Sequence, residues 1–188
     1  MDEVLEKLKK RGCDVAKKDK DLFIWGAGNT SLLYAPAFRE EGIRPAAFVD
    51  NHMKSDDVFL GKQVISPKEL KGKDGFVLIC SQNPHMVDEI SRHIEDDIKL
   101  PYLTVNEFIL SHHIDAIKQC IELLEDEQSK DVYIQVLTAW LEHKFPPFRC
   151  YHPIQYFAHE RFMEPNANEV FVDLGAFVGD TIERFLFS

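Results

Sequence analysis

Residues 21–31, Asp-Leu-Phe-Ile-Trp-Gly-Ala-Gly-Asn-Thr-Ser, constrain the fold more than any other stretch. Leu22 to Trp25 is a short apolar run, read as a buried strand. It breaks at Gly26-Ala27-Gly28, and Leu32, Leu33, Ala37 and Phe38 then recur at helical spacing, with Pro36 awkwardly among them. A strand turning through glycines into a helix presents backbone N–H groups and a helix N-terminus to a ligand. Gly26-x-Gly28-x-x-Ser31 departs from the full dinucleotide-binding fingerprint, whose third position is glycine or alanine. Asp50 lies 22 positions after Gly28, at the end of a second predicted strand, Ala46 to Val49. Dinucleotide folds place the acid that binds ribose at about that distance.

The pattern continues for about 100 residues. Residues 2–11 read as a short amphipathic helix that covers an edge or end of the sheet, with Val4, Leu5 and Leu8 on one face. Residues 52–63 are polar and turn-rich, read as a loop or short hairpin, and Val64-Ile65-Ser66-Pro67 leads into a helical turn through Leu70. Phe76 to Cys80 is the third strand. Asn83 and Pro84 then suit the N-cap and first position of a helix running to about Ile94. Tyr102 to Thr104 is a short fourth strand. A small parallel sheet covered by helices is the natural assembly, a Rossmann-like α/β domain over residues 1–110. Its strand ends would bring together Gly26, Gly28, Asp50, Asn51 and Ser81, the candidate site for a nucleotide or nucleotide sugar.

Residues 106–143 carry no strand signal. Ile114, Ile117, Ile121 and Leu124 mark one helix, and Val132, Val136, Leu137 and Trp140 another. Residues 111–165 are read as a helical connector, stopped as a helix by Pro146-Pro147. Strand, glycine turn and helix return at Glu169 to Asp180, and the sequence ends at Ser188. One strand and part of a helix cannot make a stable sheet alone, so the sequence predicts a piece of a longer protein, with residues 166–188 opening a second domain.

The formal net charge of −10 argues against nucleic acid or an anionic membrane as partner, since both are polyanions. Lys9 to Lys20 is locally basic and reads as a solvated helix end. Cys13, Cys80, Cys120 and Cys150 form no C-x-x-C pair and no disulfide framework, which favours a reducing cytoplasm. The N-terminus is charged and unlike a signal peptide, and no apolar run approaches the roughly 20 residues of a membrane helix. His112, His113, His143, His152 and His159 lack companions at metal-ligand spacing and read as surface or packing residues. Cys80 reads as a small buried residue. A small-molecule partner is expected, and homo-oligomerisation is left open.

Asp173-x-Gly175-x-x-x-Gly179 places an acid at a strand end before glycines that let backbone approach a nucleoside. It resembles the first motif of S-adenosylmethionine-dependent methyltransferases. Val170 to Thr181, together with Leu124 to Lys130 and Gln155-Tyr156-Phe157 upstream, resembles the FkbM family in particular. Longer members of that family carry an N-terminal domain similar to residues 21–110. The resemblance implies that Asp173, Gly175, Ala176 and Gly179 would line the methionine and ribose side of S-adenosylmethionine. It also implies methyl transfer to an oxygen of a sugar or other small hydroxylated substrate, with the methyl-acceptor site and the next ribose-binding acid beyond Ser188. These 188 residues would then not catalyse alone. A module that binds a nucleotide or nucleotide sugar without catalysis is the main alternative, because residues 1–110 also resemble the cofactor-binding half of nucleotide-sugar dehydratases and sugar acyltransferases. A ligand-free domain that orients a partner domain or dimerises is the third.

Overall fold

A computed structural model describes residues 5, 6, 8, 9, 20–53 and 57–147 of the chain. Inter-residue contacts divide the chain into two compact units, Met1–Pro146 and Pro147–Ser188. The predicted glycine turn at Asp173 to Gly179 lies outside the described residues.

The first unit is an α/β domain built on a six-stranded, mostly parallel sheet. In chain order the elements are β1 (Asp21–Trp25), α1 (Asn29–Glu40), β2 (Ala47–Val49), β3 (Val58–Phe59), β4 (Lys62–Ile65) and β5 (Gly75–Ile79). Then come α2 (Pro84–His93), β6 (Tyr102–Thr104), α3 (Val105–His112), α4 (Ile114–Leu123) and α5 (Glu127–Leu141). The strand order is β3-β4-β2-β1-β5-β6, and only the β3–β4 pair is antiparallel. The chain winds outward from β1 through β2 to β4, then crosses back to β5 on the other side of β1. That reversal makes a topological switch between β1 and β5, where open α/β sheets form a crevice at their carboxyl ends.

Side-chain alternation sorts the strands onto two faces. Phe23, Trp25, Val49, Val77 and Ile79 pack on one face with Val87, Ile90 and Ile94. Ile24, Phe48, Val64 and Leu78 pack on the other with Phe38 of α1 and Phe108 of α3. Because both faces are covered, all five residues of β5, Gly-Phe-Val-Leu-Ile, are buried. Each large apolar side chain so buried stabilises the fold by roughly 1.5–3 kcal/mol.

Several expectations needed correction. Val64-Ile65-Ser66-Pro67 does lead into a helical turn, the 3-10 turn Pro67–Leu70, but Val64 and Ile65 are themselves part of a strand. They belong to β4, which pairs in parallel with β2 and adds a strand to the sheet. Residues 58–65 do form the hairpin, turning through Leu60 and Gly61 at φ 49° and 75°. The helix begun at Pro84 does not stop at Ile94. A π turn over Ile94–Ile98 extends it to Lys99, which adopts the left-handed conformation at φ 64°. Leu5 and Leu8 pack with Leu110, Ile117, Ile121 and Leu137 of the helices, and not on the edge of the sheet. Pro36 does not break α1, which runs through it.

The helix α3 starts directly from β6. Thr104 ends the strand and caps the helix: its Oγ1 accepts from the Glu107 N–H at 3.2 Å. The Glu107 carboxylate in turn accepts from the Thr104 N–H at 2.9 Å and from its hydroxyl at 3.1 Å. Both residues are buried, so neither group can trade its partner for water. Thr104→Val keeps the shape and removes the hydroxyl. It is expected to destabilise the domain by about 1–2 kcal/mol, read as a lower urea midpoint at unchanged slope.

Candidate functional site

The site begins where β1 ends. Gly26 has φ 120°, a conformation side chains rarely adopt. A Cβ there would sit 2.7 Å from the Cys80 carbonyl oxygen. Its N–H donates to the Val49 carbonyl at 2.8 Å, and the Cys80 N–H donates to the Trp25 carbonyl at 2.8 Å. The ends of β1, β2 and β5 are thus sewn together around this glycine. Gly28, in contrast, is an extended N-cap residue, and a Cβ there would meet nothing within 4 Å.

Ser31 explains how the third fingerprint position can differ. It is fully buried, and its hydroxyl donates to the Gly26 carbonyl at 2.5 Å. A small side chain is needed for α1 to pack on the strand end, and serine fits because its one polar atom is satisfied within the turn.

Asp50 reaches across from β2. Its Oδ2 accepts from the Ala27 N–H at 3.0 Å, and its Oδ1 accepts from the His52 N–H at 2.8 Å. The carboxylate is therefore held in one orientation over the glycine turn. A carboxylate offers about four acceptor positions, so it keeps capacity for donors from the cavity.

That cavity, of about 360 Å³, opens at the carboxyl ends of β1, β2 and β5. Gly26, Gly28, Asp50, Asn51 and Ser81, which the sequence placed at three separate strand ends, all line it. The sequence reading missed Trp25, His52, Glu89 and His93, which also line it. Glu89 and His93 are four apart on α2, so helical spacing was the signal that could have paired them. Ser81 also borders a second cavity of about 290 Å³, with Trp140 and Lys144 on its wall. There the Tyr34 hydroxyl lies 3.4 Å from both Asn106 Oδ1 and Gln82 Nε2.

Cys80 is not poised for chemistry. Burial pushes its thiol up to about 11, against a smaller opposing effect of a hydrogen bond with Ser31. It stays protonated near neutral pH, and a protonated, buried thiol is a poor nucleophile. Among the described residues, no hydrogen bond joins a hydroxyl or thiol of the larger cavity to a histidine. No group of three or more His, Cys, Asp and Glu residues there could hold a metal ion. None of the described helices is long and apolar enough to cross a membrane. Asp173, Gly175, Ala176 and Gly179 lie outside the described residues.

No family model matches the chain, and no curated protein matches it. Among solved structures, a crystal structure of methyltransferase FkbM from Methylobacillus flagellatus KT is similar, with a TM-score of 0.49 and 15% sequence identity. The match covers 98% of this chain and 61% of that one, so the chain spans less than two thirds of its length.

Two measurements check the site's construction. Gly26→Ala should lose about 2–4 kcal/mol in chemical denaturation, from strained backbone and the clash with a carbonyl that cannot move aside, while Gly28→Ala should stay within about 1 kcal/mol of wild type. Alkylation of the native protein followed by peptide mapping should label exposed Cys120 and spare Cys80, and equal labelling of the two would show that β5 is not closed over the thiol.

Proposed function

We propose that residues 20–146 form a Rossmann-type binding domain for a nucleoside-containing small molecule. The observation that carries this reading is the Asp50 carboxylate, fixed by two backbone amides over the glycine turn at the topological switch. Spare acceptor capacity at that place suits a pair of ribose hydroxyls.

We propose further that the domain serves an S-adenosylmethionine-dependent methyltransferase acting on an oxygen of a sugar or other small hydroxylated substrate. This part rests on the Asp173-x-Gly175-x-x-x-Gly179 sequence and its resemblance to the FkbM family. In that reading Asp173, Gly175, Ala176 and Gly179 contact the cofactor. The protein would be cytoplasmic and act on a small molecule. The alternative is a nucleotide or nucleotide-sugar binding module without catalysis, which rests on the resemblance of residues 1–110 to the cofactor-binding half of nucleotide-sugar dehydratases and sugar acyltransferases.

Calorimetry with NAD, nucleotide sugars and S-adenosylmethionine separates these readings. A ligand of the first domain should lose at least tenfold in affinity with Gly28→Val, whose side chain would project into open space at the cavity, and with Asp50→Ala. It should be indifferent to Asp173→Ala. Wild-type affinity in both first-domain variants would remove the Asp50 cavity as its site. Continuation of the reading frame past codon 188 into a strand ending in an acid would support the methyltransferase reading, and a stop codon there would count against it.

A further inference from the structure

We infer that the Asp50 cavity selects a ligand that carries no phosphate beside the glycine turn: a nucleoside or comparable vicinal diol, neutral or cationic. This rests on the nucleoside-binding reading proposed above and narrows it.

Sites that hold phosphate on a strand–glycine–helix turn do so with free backbone N–H groups, the positive end of the helix and commonly a basic side chain. Here the turn amide of Ala27 already donates to Asp50 Oδ2 at 3.0 Å. The His52 amide holds the other oxygen at 2.8 Å, so the carboxylate cannot swing aside without losing two hydrogen bonds. Asp50 is thus a built-in anion next to the N-terminus of α1. That terminus has no acidic residue in its first turn and no side-chain cap of its own. The second charged residue on the wall is Glu89, also an acid. Among the described lining residues there is no lysine or arginine, and the basic ones are His52 and His93. A phosphate at the turn would face two carboxylates across the cavity, and like charges repel. A diol meets the opposite situation, since its hydroxyls donate into the lone pairs that the Ala27 and His52 amides leave open. The net charge of −10 on the chain adds to the exclusion.

The test is calorimetry on the 188-residue chain at about pH 8 with the four ribonucleosides and their 5′-mono- and diphosphates. At least one nucleoside should bind, with its diphosphate at least tenfold weaker. Added potassium chloride should narrow that gap by screening the repulsion. Glu89→Gln, a change at an exposed position of α2, should strengthen diphosphate binding several-fold more than it changes nucleoside binding. Asp50→Asn should narrow the gap further. A diphosphate that binds more tightly than its nucleoside overturns this inference and leaves the nucleoside-binding reading standing. If the folded protein binds none of the twelve compounds, the reading of the site fails and the inference fails with it.

Discussion

Where β1 and β5 end side by side, the backbone of Gly26 lies so close to the Cys80 carbonyl that no side chain fits between them. The rest of the site depends on that approach. It lets the chain leave β1 sharply enough for α1 to start at Asn29, directly after Gly28, and it brings Ser31 within reach of the Gly26 carbonyl. It also sets the Ala27 amide where the acid at the end of β2 can hold it. That approach, with the bond from the Gly26 N–H to the Val49 carbonyl, fixes the relative heights of three strand ends, and the cavity is the space they leave. The apolar layers on both faces of the sheet hold those strands in place.

Much of this could be read from the sequence, for identifiable reasons. Strands β1, β2 and β5 are apolar runs ending in glycine, Asp-Asn and Cys-Ser, and parallel strands buried on both faces leave just that trace. The convergence of Gly26, Gly28, Asp50, Asn51 and Ser81 followed from winding alone, because parallel strands put their carboxyl ends on one edge. Strand β4 was hidden because only Val64 and Ile65 of its four residues are buried, and Ser66-Pro67 follows at once. The hairpin was legible in the turn-rich residues 52–63, although leucine is an unusual choice for the left-handed position that Leu60 takes. Helix α3 had a readable signature in Thr104-x-x-Glu107, a capping box at the end of an apolar strand, which went unread beside the longer apolar pattern of α4.

Binding geometry is less accessible to such reading than fold. That Asp50 sits at the right distance from Gly28 is a matter of counting residues. That both of its oxygens are already engaged by backbone amides depends on how the β1–α1 turn meets the end of β2, and that Glu89 shares the cavity wall depends on how α2 lies across the sheet. The glycine turn therefore resembles a phosphate cradle in sequence, with one of its amides already bonded to a carboxylate.

The junction of β6 and α3 has a consequence for the second cavity. Strand passes into helix at Thr104-Val105 with no loop residue between, and Asn106, on the first turn of α3, lines that cavity. Side chains carried on loops can yield several ångströms to an incoming molecule. Asn106 has no such slack, because its backbone is registered to the sheet through β6. That wall of the cavity therefore keeps the position the sheet gives it.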